Sequence, residues 1–286
     1  MKGMFELDEL QNSPEKENLL LVDCLNLSFR YMHRKQHDFA GDFLRTISSL
    51  AKSYGARDVV LLSDKGSSSF RLEVDSGYKS DRKEKHKEKS EEEKEEFRKF
   101  FEGYERALEL ASNTYPLVRM SKVEADDLAA YIVRHHSQKY NHTWLISSDG
   151  DWDLLLSENV SRFSFVTRKE YTLQDFYINS GCDSPEEFVS VKALQGDSGD
   201  SIPGIPGVGV KRAYNLVREY GSAFELAESI PVPGKRKIDE NINKSKDRIL
   251  TNIMLVDLLS FCEDAISHPN VDNLKELEEF CNERLR

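Results

Sequence analysis

Nine carboxylates stand where a single reaction could use them all. Three close short apolar runs: Leu19-Leu20-Leu21-Val22 leads into Asp23, Val59-Val60-Leu61-Leu62-Ser63 into Asp64, and Trp144-Leu145-Ile146-Ser147-Ser148 into Asp149. Glu124, Asp126 and Asp127 stand just ahead of the apolar stretch Leu128 to Val133; Asp151 follows Asp149 across a glycine; Asp197 and Asp200 flank Ser198-Gly199. Each group alone has a plain explanation, since acids in a helix's first turn complement its dipole and Asp with Gly makes turns. As a set they are harder to dismiss. Like charges about 4 Å apart repel by about 4 kcal/mol at an effective dielectric near 20, so a shared site needs cations. An all-oxygen donor set without His or Cys suits hard ions, Mg2+ with Mn2+ as its substitute, and disfavours zinc. Two or more such ions against a phosphate would activate a water and steady the leaving oxygen of an in-line displacement.

Such a site requires elements that bring the acids to one edge. Short continuous apolar runs separated by helix-length segments predict buried parallel strands, and open α/β sheets bind ligands outside the carboxyl ends of their strands. The expected fold class is therefore α/β, a central, mostly parallel sheet flanked by helices. Residues 79–96 are nearly all charged, basic at first and then acidic, and behind them Phe97, Phe100, Phe101, Tyr104 and Leu108 recur at helical spacing. Composition alone makes that charge run a solvated helix or loop. Pro185-Glu186-Glu187 opens a helix that Gly196 ends; Val210, Ala213, Tyr214 and Val217 share a face of the next, which Gly221 closes. Residues 1–18 show no clear period and read as a flexible tail, leaving 19–286 as one domain.

Bulk properties set the limits. With 38% hydrophobic residues the chain of 286 can build a substantial core, and 32% charged residues solvate its surface. No apolar stretch approaches the roughly 18 residues of a membrane span, and no secretion signal opens the chain, so a cytoplasmic location is expected. Cys24, Cys182, Cys262 and Cys281 lack zinc or redox spacing and read as buried reduced thiols. The net charge of −11 looks wrong for a nucleic-acid binder. Setting the nine acids aside leaves a nearly neutral remainder on which basic patches can act.

The set resembles the 5′-nuclease (flap endonuclease) superfamily, most closely the stand-alone flap endonucleases of T-five-like bacteriophages. Gly196-Asp197-Ser198-Gly199-Asp200-Ser201-Ile202-Pro203-Gly204-Ile205-Pro206-Gly207-Val208-Gly209 is its most specific segment. Val123-Glu124-Ala125-Asp126-Asp127, Leu145 to Asp153 and Ser63-Asp64-Lys65-Gly66 also match. The resemblance implies that Asp23, Asp64, Glu124, Asp126 and Asp127 surround a first metal ion, and that Asp149, Asp151, Asp197 and Asp200 serve a second. It makes residues 79–115 a helical arch around a single-stranded 5′ end, with Tyr78, Lys79, Arg82 and Lys83 at its base against DNA. Lys79 and Arg82 join Asp149 and Asp197 as catalytic candidates, Lys79 as an electrostatic one. The implied partner is DNA with 5′ flaps, nicks or free 5′ ends, bound by a monomer inside a bacterial host. Two positions depart from the family pattern: Cys24-Leu25 follows the first aspartate where small or hydroxyl residues are usual, and Ser201 replaces a common Asn.

Gly204 to Arg212 imitates a nucleotide loop but lacks Lys-Ser/Thr after its last glycine, and Arg212 stands where a dinucleotide fingerprint needs Gly. A Gly turn into a helix N-terminus presents free N–H groups to an anion, and Lys211 and Arg212 add charge. The resemblance makes residues 186–221 a helix–two-turn–helix element in which Gly207, Gly209, Lys211 and Arg212 grip duplex phosphates, with K+ at the glycine loop. Lys235-Arg236-Lys237 reads equally as a phosphate contact or a solvated loop. A PIN-type ribonuclease shares a strand-end acid cluster but is smaller and lacks hairpin and arch. A silent junction binder would have lost metal acids, and a small-molecule phosphatase would have no use for a basic arch.

Overall fold

The computed structural model describes residues 17–285. The expected tail at 1–18 lies outside the described residues except for Glu17 and Asn18, and Asn18 already belongs to the first strand. The strands are β1 (Asn18–Asp23), β2 (Ala56–Leu62), β3 (Leu117–Val118), β4 (His142–Ile146), β5 (Val160–Ser164), β6 (Lys169–Tyr171), β7 (Gly196–Asp197) and β8 (Ile202–Pro203). The helices of the first half are α1 (Cys24–Met32), α2 (Ala40–Ser53), α3 (Ser69–Val74), α4 (Ser80–Glu88), α5 (Glu91–Ser112) and α6 (Ala125–His136). Those of the second half are α7 (Leu173–Ser180), α8 (Pro185–Gln195), α9 (Val210–Tyr220), α10 (Ala223–Glu228), α11 (Lys237–Asn243), α12 (Lys246–Val256), α13 (Leu258–Ser267) and α14 (Asp272–Arg284).

The main sheet runs β3-β2-β1-β4-β5-β6. Strand β1 pairs in parallel with both β2 and β4, Leu20 facing Val59 on one side and Trp144 on the other. Only β6 is antiparallel. The chain leaves β1 toward β2 and β3, then returns to β4 on the opposite flank, so the strand order reverses beside β1. In open α/β sheets that switch point opens a crevice at the carboxyl ends.

Both faces of the sheet are covered, which is why its strands are apolar throughout rather than alternating. Leu20, Val22, Val59 and Leu61 pack with Phe43 and Ile47 of α2 and Phe100 and Tyr104 of α5. Leu19, Leu21, Val60 and Leu62 share the other core with Leu128 and Ile132 of α6, and that core continues into the C-terminal helices through Ile249, Cys262 and Leu277. All four cysteines are buried and free.

The charge run folds as α4 followed by α5, which opens on a capping box in which Ser90 and Glu93 satisfy each other's backbone N–H. The predicted apolar face of α5 divides: Phe100, Tyr104 and Leu108 are buried, whereas Phe97 and Phe101 line the cavity under the arch. Farther on, α8 and α9 form as expected, and between them stands a short β7–β8 hairpin ahead of the Gly/Pro loop. Gly196 (φ 83°) and Gly204 press backbone against backbone there; a Cβ on Gly196 would lie 2.3 Å from the Gly204 nitrogen, and one on Gly204 2.0 Å from the Gln195 carbonyl. One expected face residue is corrected: Val210 is 55% exposed, and Leu216 joins Ala213 and Val217 inside, because α9 begins at Val210 with its first turn turned outward. No helix among the described residues is long and apolar enough to cross a membrane.

Candidate active site

The nine acids gather at the carboxyl edge of the sheet in two electrostatic classes. Five are paired with protein cations. Glu124, the N-cap of α6, lies 2.9 Å from the Lys79 ammonium. Asp127 takes both arms of Arg71 at 2.7 Å. Asp151 and Asp197 share Lys192 at 2.5 and 2.8 Å, and Asp200 receives Arg82 at 2.6 Å. The other four, Asp23, Asp64, Asp126 and Asp149, form no ion pair among the described residues and are held by neutral donors. Asp23 accepts from the Asn26 N–H and the Ser147 hydroxyl. Asp64 accepts from the Ala125 N–H at 2.6 Å, Asp126 from the Trp152 indole at 2.6 Å, and Asp149 from the Asp151 N–H at 2.9 Å.

Burial without a direct ion pair has the expected effect on these four, and the more distant Lys79 only partly offsets it at Asp126 and Asp64. Desolvation, with Asp64 close by, pushes Asp23 up to about 7. Desolvation raises Asp64 as well, and Asp126 well above the usual carboxylate range, with help from Asp149 and Asp64. Asp149 is raised by burial and by Asp151. Burial also works against the charge of Glu124, but Lys79 and Arg71 outweigh it and hold that carboxyl low. At Asp197, Lys192 overcomes burial in the same way.

As they stand, no three of the acids, with any His or Cys, are preset around one point among the described residues. Five of the acids point instead at lysines and arginines inside the site. The residues nevertheless fit a metal group: the four acids left without cations are oxygen donors that gain from a positive charge.

Lys79 caps the arch. It sits in the left-handed region (φ 55°) just before α4, its N–H bonds the Asp200 carbonyl at 2.8 Å, and its ammonium lies 3.9 Å from the Asp200 carboxylate. Arg82 also reaches the Gly199 carbonyl. The space under the arch is a cavity of about 870 Å³ whose lining includes Asp64, Lys79, Arg82, Lys85, Lys87 and Phe101. The backbone of Lys83 lies in α4; its side chain is outside the described ones. Two expectations are corrected. Tyr78 is 3% exposed, its hydroxyl 3.0 Å from Glu124 and 3.2 Å from Asp200, so it braces acids instead of facing DNA. Asp127 is fully buried on Arg71 and offers no free face to the cavity.

At the glycine loop, Lys211 and Arg212 are exposed; Arg212 also donates to the Gly207 carbonyl, and Asn241 to that of Pro206 at 2.8 Å. A Cβ on Gly209 would meet nothing within 4 Å. Of the two departures, Cys24 is buried, and the Ser201 hydroxyl accepts the Asp81 N–H at 3.1 Å, joining the hairpin to the arch. Lys235 to Lys237 are exposed, with Arg236 on Asp239.

Sequence reasoning missed Lys192, Arg71, Trp152 and Ser147. Lys192 left a signal, a lysine amid Val189, Val191, Ala193 and Leu194, since a charge in an apolar run is rarely buried unless paired. Arg71 left less, one arginine in a six-residue helix.

A parallel sheet carrying acids across its switch point, roofed by an arch whose first helix, α4, is rich in lysine and arginine, defines a phosphodiester hydrolase of the acid-cluster type. Comparison with known proteins sharpens the class. The 5′-3′ exonuclease N-terminal resolvase-like domain matches residues 18–180, and the 5′-3′ exonuclease C-terminal SAM fold matches residues 183–275. The flap endonuclease of Escherichia phage T5 is 46% identical over 273 residues, 95% of this chain and 94% of that one. A 5′-3′ exonuclease of Aquifex aeolicus is 27% identical over 239 residues, 82% of this chain and 78% of its own. The solved structure of the T5 5′-exonuclease with bound zinc is similar at a TM-score of 0.90, covering 94% of this chain and 100% of that one at 46% identity. A T5 flap endonuclease complex with DNA and metal ions has the same TM-score and covers 99% of that chain. The chain belongs to the 5′-3′ exonuclease family and is a structure-specific 5′-nuclease.

Proposed function

We propose that the chain hydrolyses DNA phosphodiesters beside single-strand/duplex junctions, as a flap endonuclease and 5′→3′ exonuclease that uses Mg2+, with Mn2+ as a substitute. The observation that carries this reading is the set of four carboxylates, Asp23, Asp64, Asp126 and Asp149, that stand at the carboxyl edge of the sheet, largely withdrawn from water and without an ion pair. Two divalent ions would offset their four charges, which supports a two-ion site. Asp23, Asp64, Glu124 and Asp126 would hold one ion, and Asp149, Asp151, Asp197 and Asp200 the other. Asp127 acts on the first set only through α6. When bound, such ions supply an activated water and charge stabilisation at the leaving oxygen.

The chain's own residues supply the rest. Lys79, fixed between Glu124 and Asp200, presents a preorganised positive charge where negative charge develops on the phosphate. Arg82, Lys85 and Lys87 line the cavity through which the single strand passes, with Phe97 and Phe101 as faces on which bases stack. The N–H groups at the start of α9, with Lys211 and Arg212, grip duplex phosphate. Nothing inside the protein demands a glycine at position 209, and close approach by a phosphate supplies a reason for one. A K+ ion at the glycine loop would compete with Arg212 and Asn241 for its carbonyls. We read residues 19–286 as one working unit, monomeric, acting in the cytoplasm of a bacterial host.

The test is gel analysis of products from a 5′ flap, a 3′ flap, a nicked duplex and single-stranded DNA, each with and without Mg2+. Cutting of the 5′ flap and nicked duplex only with Mg2+ is expected. Preference for the 3′ flap, or full turnover in excess chelator, would overturn the proposal.

A further inference from the structure

We infer that Arg71 is a positioning residue for the metal-binding acids, fastening the first turn of α6 to helix α12 of the second half. This rests on the metal reading above. Arg71 is 1% exposed, and its guanidinium is held on three sides. Its two terminal nitrogens each lie 2.7 Å from an oxygen of Asp127. Its Nε donates to the Leu255 carbonyl of α12 at 3.2 Å, and Nη1 lies 3.5 Å from Glu124. Asp127 is wholly buried and stands in the same turn as Glu124 and Asp126, both proposed ligands. One turn before Leu255, Asn252 holds the carbonyls of Ala193 and Pro203, so the anchor is itself tied to the hairpin that carries Asp197.

A buried ion pair is weak evidence for stability, because well-packed apolar residues often serve as well or better. What an apolar pair does not supply is direction. A planar fork bonded on both arms, with its third donor on the backbone of another helix, fixes the rotation of the α6 first turn and so the aim of its carboxylates. Lysine, a point charge without the fork, does not reproduce that geometry.

The test compares wild type with Arg71→Lys and with the charge-free pair Arg71→Met/Asp127→Leu. The readouts are thermal unfolding, Mn2+ affinity by titration calorimetry on the protein without DNA, and kcat and KM on a 5′ flap at saturating metal. The double variant is expected to unfold at or above the wild-type temperature, yet to bind Mn2+ about tenfold more weakly and to lose about tenfold in kcat with KM little changed. Arg71→Lys, which keeps the charge, should shift affinity and kcat in the same direction. A folded double variant with wild-type Mn2+ affinity and kcat would overturn the inference. Should the double variant not fold, Arg71→Lys decides, and wild-type affinity there overturns it as well. Failure of the wild type itself to bind Mn2+ would instead strike the metal reading.

Discussion

Asp23 should make the metal-free protein less stable as pH rises. Its carboxyl is 7% exposed and is pushed from 3.8 to about 7 in the folded state. Between those values the folded chain holds a proton that the unfolded chain has released, so stability falls with pH across that window and the contribution is gone above about 7. The full difference corresponds to on the order of 4 kcal/mol. Asn at this position carries no such charge, and it keeps an oxygen for the Asn26 N–H. Urea unfolding of wild type and Asp23→Asn in chelator, at pH 4 and pH 8, reads the effect of this charge together with its coupling to Asp64 and Asp149, and cancels the titrating groups farther away. The two proteins should be nearly equal at pH 4. At pH 8 the variant should be more stable by on the order of 2–4 kcal/mol, while cutting no DNA. Mg2+ should then raise the stability of wild type at pH 8 more than that of the variant. A variant no more stable than wild type at pH 8 in chelator would refute the idea that Asp23 is a buried charge awaiting a cation.

The remaining expectations are briefer. Lys79→Ala should lower the single-turnover rate at saturating enzyme by on the order of a hundredfold, the scale of losing one preorganised charge; an unchanged rate removes Lys79 from the catalytic set. Lys211→Ala/Arg212→Ala should weaken binding to duplex-containing DNA in Ca2+, leave the saturated cleavage rate near wild type, and reduce the slope of log affinity against log salt by roughly one per lost contact. An equal slope on duplex would make the glycine loop only a turn. Gly196→Ala should cost more than about 2 kcal/mol in chemical denaturation, since its φ is 83° and its Cβ would meet backbone at 2.3 Å; wild-type stability would mean the hairpin yields at little cost.

Much of this protein was legible in the residues themselves. Apolar runs ending in Asp23, Asp64 and Asp149 reveal strands and functional edge at once, because strands buried on both faces must be continuously apolar and ligands collect at their carboxyl ends. The helices flanking the β7–β8 hairpin were equally plain, since Pro185, Gly196 and Gly221 are local signals that act within a few residues. The strands β3 and β6 were not, because two or three residues carry no readable period, nor was β5, whose Val160-Ser161-Arg162-Phe163-Ser164 breaks any apolar run. Which acids are paired and which stand alone was decided only in three dimensions. Lys192 lies 41 residues from Asp151 and Arg71 lies 56 from Asp127, and no local pattern records such a contact. The burial that lifts Asp23 is likewise a property of the layers packed over β1. The sequence therefore determines which groups are available for chemistry, and the tertiary structure determines their charge, because desolvation and pairing depend on what lies nearby in space rather than along the chain.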